Sequence, residues 1–85
     1  MDLQDYRAKI DKVDDELLRL FIERMEISRQ IAQYKKENSL PVLDAEREKK
    51  KLCEISEKAG EMRSYACSLY SLLFDLSRAH QETLM

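Results

Sequence analysis

A few ionic and amide side chains in this 85-residue sequence stand where a helical repeat calls for hydrocarbon. From Leu3 to Tyr34 an apolar residue recurs at three- and four-residue spacing, through Tyr6, Ile10, Val13, Leu17, Leu20, Ile27 and Ile31. The one interruption is Arg24. Burying an unpaired guanidinium is costly. Arg24 therefore snorkels, pairs with an acid such as Glu23 or one on a neighbouring helix, fixes helix register, or faces a ligand. Glu48 is the second anomaly, since at 100° per residue it shares the face of Ala45, Leu52 and Ile55. An internal Arg24–Glu48 ion pair would satisfy both. Lys35 lies about 20° around the helix from Arg24 and about 16 Å further along, and alone it reads as a solvated lysine. Ser77 and Gln81 form an (i, i+4) pair on one edge with Tyr70 and Phe74, a common border between core and solvent. Arg7 flanks the stripe about 42 Å from Lys35. Only an antiparallel second copy would bring an Arg7 beside Lys35.

Together these groups describe an interior pocket of cations, one carboxylate and neutral donors, suited to a compact dianion carrying a hydroxyl. No nucleophile–base pair accompanies them. His80 is solitary, and Cys53 and Cys67 lie off the apolar faces. One His and two Cys without ligand spacing make no metal site, so neither metal nor cofactor is expected. The chemistry such a pocket can offer is binding, orientation and charge stabilisation.

The elements that must hold these groups are helices. Charged residues make up 38 % and apolar ones 44 %, with one Gly and one Pro, which favours an all-α bundle over a sheet or a disordered chain. The first helix is expected from about residue 3 to 38, ended by Asn38, Ser39 and Pro41. Asp44 is suited to cap a second helix that stops at Gly60, with Glu46 favouring its dipole and Arg47 pointing about 100° from Glu48. A third is expected from about Met62 to Leu84, striped by Tyr65, Leu69, Leu72, Leu76 and Ala79. The first helix would be about 54 Å long, against a radius of gyration of about 12 Å for a compact chain of this size. Two shorter helices cannot cover such a rod, so an interdigitated homodimer is expected. The chain reads as one domain, 1–85. A net charge of −2 with interleaved signs gives no nucleic-acid or membrane surface. No leader-like or membrane-spanning run is visible, and two cysteines without a disulfide pattern fit a reducing, cytoplasmic setting.

Several pieces of the chain, taken together, resemble the all-helical chorismate mutase family over nearly its full length: "YRAKIDKVDDELLRLFIER", "IAQYKK", "PVLDAERE" and "SRAHQ". The resemblance implies three helices per chain in an intertwined homodimer that converts chorismate to prephenate on the route to Phe and Tyr. By the same resemblance, Arg7 is lent by the partner subunit, and Arg24 grips a substrate carboxylate from the same chain. Lys35 reaches a carboxylate and the ether oxygen, as does Gln81 at that oxygen, with Ser77 completing the third-helix polar pair. Glu48, with the Asp44 region, receives the hydroxyl, and Arg47 is peripheral. One departure is "KAGEMRSYA", shorter than usual between the second and third helices, which leaves the register of Ser77 and Gln81 open. Three other readings remain. The chain can be a regulatory mutase-like domain of a fused shikimate-pathway enzyme, the related isochorismate-pyruvate lyase, or a non-catalytic dimerisation module.

Overall fold

A computed structural model describes all residues, 1–85, and contains helices and no strands. Helix α1 runs Leu3–Glu37, α2 Ala45–Ala59 and α3 Arg63–Leu84, with a 3-10 turn at Gly60–Met62. The expected second and third helices are not separated by a loop. Residues 45–84 form one continuous helical run, bent at Gly60, so the chain consists of two helical stretches, the second with two arms. Gly60 adopts φ +58°, which an L side chain resists, and it stops the α-helical ladder. The 3-10 turn then starts α3 at once.

The ends of α1 are fixed by local chemistry. Asp2 accepts from the Asp5 amide at 3.0 Å, and the Asp5 carboxylate accepts from the Asp2 amide at 3.0 Å, a reciprocal capping box. At the other end Ser39 takes φ +55°. The amides of Ser39 and Leu40 return to the carbonyls of Lys36 and Lys35, so the last turn closes with a serine in the place glycine usually fills. Asp44 caps α2 by accepting from the Arg47 amide at 3.0 Å. On the outer face of α1, hydrogen bonds from Arg19 and Arg29 hold the Glu16 and Glu26 carboxyls below the usual carboxylate range.

Helix α3 packs against both α1 and α2, whereas α1 and α2 do not pack on each other. A wedge is thus left between them, floored by α3. Only four residues are buried: Ser28 and Ala32 on α1, Phe74 and Gln81 on α3. Two small side chains four residues apart let α1 approach α3 closely at this crossing. The rest of the α1 stripe is bare, with Leu3, Ile10 and Val13 each about 60 % exposed. The molecule measures 54 × 24 × 14 Å with a radius of gyration of 15.9 Å, a slab rather than a globule. No helix is long and apolar enough to cross a membrane.

Candidate active site

The wedge between α1 and α2 opens into a cavity of about 420 Å³. Its α1 wall is one row of the helix, Arg24, Ser28 and Lys35, with Ile27 and Ile31 beside it. These positions fall on one face because they are spaced by four and seven residues. Phe74, Ser77, Arg78 and Gln81 come from α3, and Val42, Asp44, Arg47, Glu48 and Lys51 from α2 and the segment before it.

Arg24 is half-buried and fixed from two sides. Its Nη1 donates to Ser77 Oγ at 2.7 Å, and its guanidinium carbon sits 5.8 Å from the Phe74 ring centre. A guanidinium over an aromatic face is attracted by the ring quadrupole. Tyr70 meets Phe74 edge-on at 6.3 Å and steadies that ring. With Nη1 committed to Ser77, Nη2 and Nε are left to serve a ligand. The Arg24–Glu48 ion pair allowed by the sequence does not form: Arg24 is held by Ser77 and the Phe74 ring. Glu48 pairs with Arg78 instead.

Ser28, Gln81 and Lys35 form a chain of hydrogen bonds. Gln81 Nε2 donates to Ser28 Oγ at 2.9 Å, and Ser28 Oγ donates to the Ser77 carbonyl at 3.5 Å. Lys35 Nζ donates to the Val42 carbonyl at 2.6 Å and to Gln81 Oε1 at 3.4 Å. An ammonium can only donate, so the amide oxygen of Gln81 must face Lys35. Lys35 carries three N–H groups, and two protein acceptors leave the third for a bound oxygen. No buried side-chain polar atom lacks a partner.

Of the residues singled out in the sequence, Arg24, Lys35, Asp44, Arg47, Glu48, Ser77 and Gln81 all line this one cavity. The short α2–α3 connection therefore does not shift Ser77 and Gln81 out of reach of α1. Asp44 spends one carboxylate oxygen on its cap, and Arg47 is exposed at the rim. Arg7 is absent from the lining and lies near the other end of α1. Sequence reasoning missed Ser28, Lys51 and Arg78. Ser28 had a readable signal, being four residues beyond Arg24 with Ala32 four further on. Arg78 had a weaker one, sitting between Ser77 and Gln81 in a helix read only for its apolar stripe.

The lining carries five cations against two carboxylates, a field that favours an anionic ligand. No group of three or more His, Cys, Asp or Glu residues gathers to hold a metal ion.

Residues 6–82 match the chorismate mutase type II family. The chain is 34 % identical over 83 residues to a bifunctional chorismate mutase/prephenate dehydratase of Buchnera aphidicola subsp. Acyrthosiphon pisum, covering 94 % of this chain and 22 % of that protein. A protein of the same name from Buchnera aphidicola subsp. Schizaphis graminum is 30 % identical over 87 residues, covering 99 % of this chain and 23 % of its own length. A chorismate mutase of Methanocaldococcus jannaschii is 29 % identical over 89 residues, covering 94 % of this chain and 84 % of that one. The chain thus spans less than a quarter of the two bifunctional relatives. No solved structure gives a significant match. With the match running from the first turns of α1 to the end of α3, the chain belongs to the type II chorismate mutase family.

Proposed function

We propose that the chain is a chorismate mutase that converts chorismate to prephenate by an intramolecular [3,3] rearrangement, working as a homodimer in the cytoplasm without cofactor or metal. The observation that carries the reading is the joint arrangement of Arg24, Lys35 and Gln81 around a cavity large enough for a compact dicarboxylate. The reaction breaks a C–O bond and makes a C–C bond, and it needs no protein nucleophile. A protein can accelerate it by holding the enolpyruvyl arm over the ring. It can also present fixed donors where charge grows on the departing ether oxygen.

Each role has a side chain suited to it. Arg24, braced by Ser77 and Phe74, offers its remaining N–H groups to a carboxylate as a planar fork. The free N–H of Lys35 serves the ether oxygen, with the Gln81 amide beside it. Glu48 accepts the ring hydroxyl near the Asp44 backbone, and Arg47 contributes charge at the rim. The second carboxylate falls to Arg7 of a second copy, entering from an antiparallel α1.

Surface supports that second copy. The chain exposes 6929 Å². A compact monomer of 10.1 kDa would expose roughly 5,300 Å². The excess of roughly 1,600 Å² per chain is of the size that an obligate dimer buries, and exposed apolar side chains run along both α1 and α3.

The test is incubation with chorismate, with the product identified and mass measured by light scattering. Prephenate as product and twice the chain mass are expected. Unchanged chorismate overturns the mutase reading; a parallel incubation with isochorismate then separates the lyase, which releases pyruvate, from a dimerisation or effector-binding module, which does not.

A further inference from the structure

The Arg78–Glu48 pair is the one strong ionic contact in the cavity that none of the roles above uses. Arg78 Nη1 reaches both oxygens of Glu48, at 2.5 Å to Oε2, while Nη2 holds Asp75. The two side chains are 28 % and 24 % exposed, so water screens the contact only in part. Hydrogen bonding to Glu48, and then its charge, raises the Arg78 pKa above the ordinary arginine value despite some desolvation. The cation is permanent.

Consider Glu48 without it. The inward carboxylate of α2 would face a dianionic substrate and repel both of its carboxylates. It would also be free to swing onto Arg24, Lys35, Arg47 or Lys51 and so occupy a cation meant for the ligand. With Arg78 in place, Glu48 is tethered to α3 and its charge is offset. One guanidinium nitrogen shared between two carboxylate oxygens still leaves lone pairs to accept from a hydroxyl.

We infer that Arg78 is a positioning residue: it clamps and neutralises Glu48, so that the site can recognise a substrate hydroxyl through a carboxylate without repelling the substrate's own carboxylates. The inference rests on the mutase reading. Arg78 itself need not touch substrate, which separates its role from those of Arg24 and Lys35.

The experiment is a double-mutant cycle on chorismate turnover with Arg78→Met, which keeps the aliphatic stem, Glu48→Gln, and the two combined. Circular dichroism and light scattering would verify that each variant folds and assembles like the wild type, with Arg78→Lys as a second variant where Arg78→Met does not. Arg78→Met should raise KM about tenfold with kcat changed less than threefold, a smaller loss than removing one partner of a fully buried pair because water screens this one in part. In the Glu48→Gln background the same substitution should change KM less than twofold, because there is no charge left to offset. Arg78→Lys should recover most of the affinity. Equal losses in the two backgrounds would mean that Arg78 binds substrate directly, and unchanged KM would mean that it does nothing for the site. Either result overturns the inference while the wild type still makes prephenate. A folded wild type that leaves chorismate untouched overturns the mutase reading and this inference with it.

Discussion

The two halves of α1 carry the same apolar repeat, exposed alike (Ile27, Ile31 and Tyr34 are still 43–61 % exposed), and differ in what lies beside the stripe. Residues 24–35 cross α3, and there the helix buries a serine and an alanine and turns an arginine and a lysine into a cavity. Residues 3–20 are exposed throughout. Leu3, Ile10, Val13, Leu17 and Leu20 are all between 47 and 62 % exposed. Periodicity thus tells which face of a helix is to be covered and says nothing of what covers it. In the C-terminal half the interruptions of the stripe mark a site. In the N-terminal half the unbroken stripe marks a missing neighbour.

The largest effect is expected from breaking the uncovered half. Leu17 sits mid-stripe, 54 % exposed within the chain. Burying a leucine contributes about 1.5–3 kcal/mol, and a two-fold interface repeats it. Leu17→Lys forfeits this twice and places two ammonium groups in an apolar seam. On the proposed dimer, light scattering should show loss of the second copy at micromolar concentration, with chorismate turnover falling below detection as the Arg7 assigned to the partner leaves. A monomer with wild-type kcat would show that the stripe and the site are independent.

In the covered half, Lys35→Ala should separate chemistry from folding. Its Nζ donates to the Val42 carbonyl and, at 3.4 Å, to Gln81 Oε1, while Arg24, Ser28 and Gln81 keep their own bonds between α1 and α3. Removing one preorganised donor from a developing oxyanion costs about 10²–10³ in kcat. Steady-state kinetics should show that loss while circular dichroism and the dimer mass stay unchanged. Turnover within threefold of wild type would remove Lys35 from the reaction.

Gln81→Glu should have a smaller effect, and one that depends on pH. The introduced carboxylate would lie beside the Lys35 ammonium, which depresses its pKa. While ionised it pairs with Lys35 and donates nothing. Protonated, it can again donate. Activity should therefore rise as pH falls through the carboxylate range, where the wild-type amide gives a flat profile. Parallel profiles for the two proteins would exclude Gln81 from the reacting centre.

These sites also show what a sequence makes legible. Rods and the Asp44 cap depend on neighbours within four residues and could be read locally, whereas Gly60 reads as a stop and is a bend within one helical run. The Asp44 cap and the inward turn of Arg24 and Glu48 follow from angle alone. Pairings between helices do not. Arg24 and Glu48 were each placed on an inner face, yet both helices lean on α3, so Arg24 found Ser77 and Glu48 found Arg78. Arg78 sits three residues from Asp75, a spacing that suits an ordinary surface pair. Ser28 stayed hidden because a serine beside the stripe suits a core border as well as a hydrogen-bond relay. In each case the missing knowledge is the crossing of two helices, which no single helix encodes.

The smallest effect belongs to the ends of α1. The N-terminus closes with two acids in a reciprocal box, whereas the C-terminus closes over Ser39 at φ +55°. An L side chain is disfavoured there, and replacing it with glycine where φ is positive gains about 0.5–1 kcal/mol. For a chain of this length that corresponds to a rise in Tm of about 2–6 °C. Ser39→Gly should give this rise at fixed protein concentration and leave kcat within twofold, since the Ser39 side chain holds no partner and lies outside the cavity. A fall in Tm instead would mean that the flexibility glycine brings to the unfolded chain outweighs the strain relieved, and that the turn before Pro41 is held by its hydrogen bonds to Lys35 and Lys36 strongly enough to accept a serine without loss.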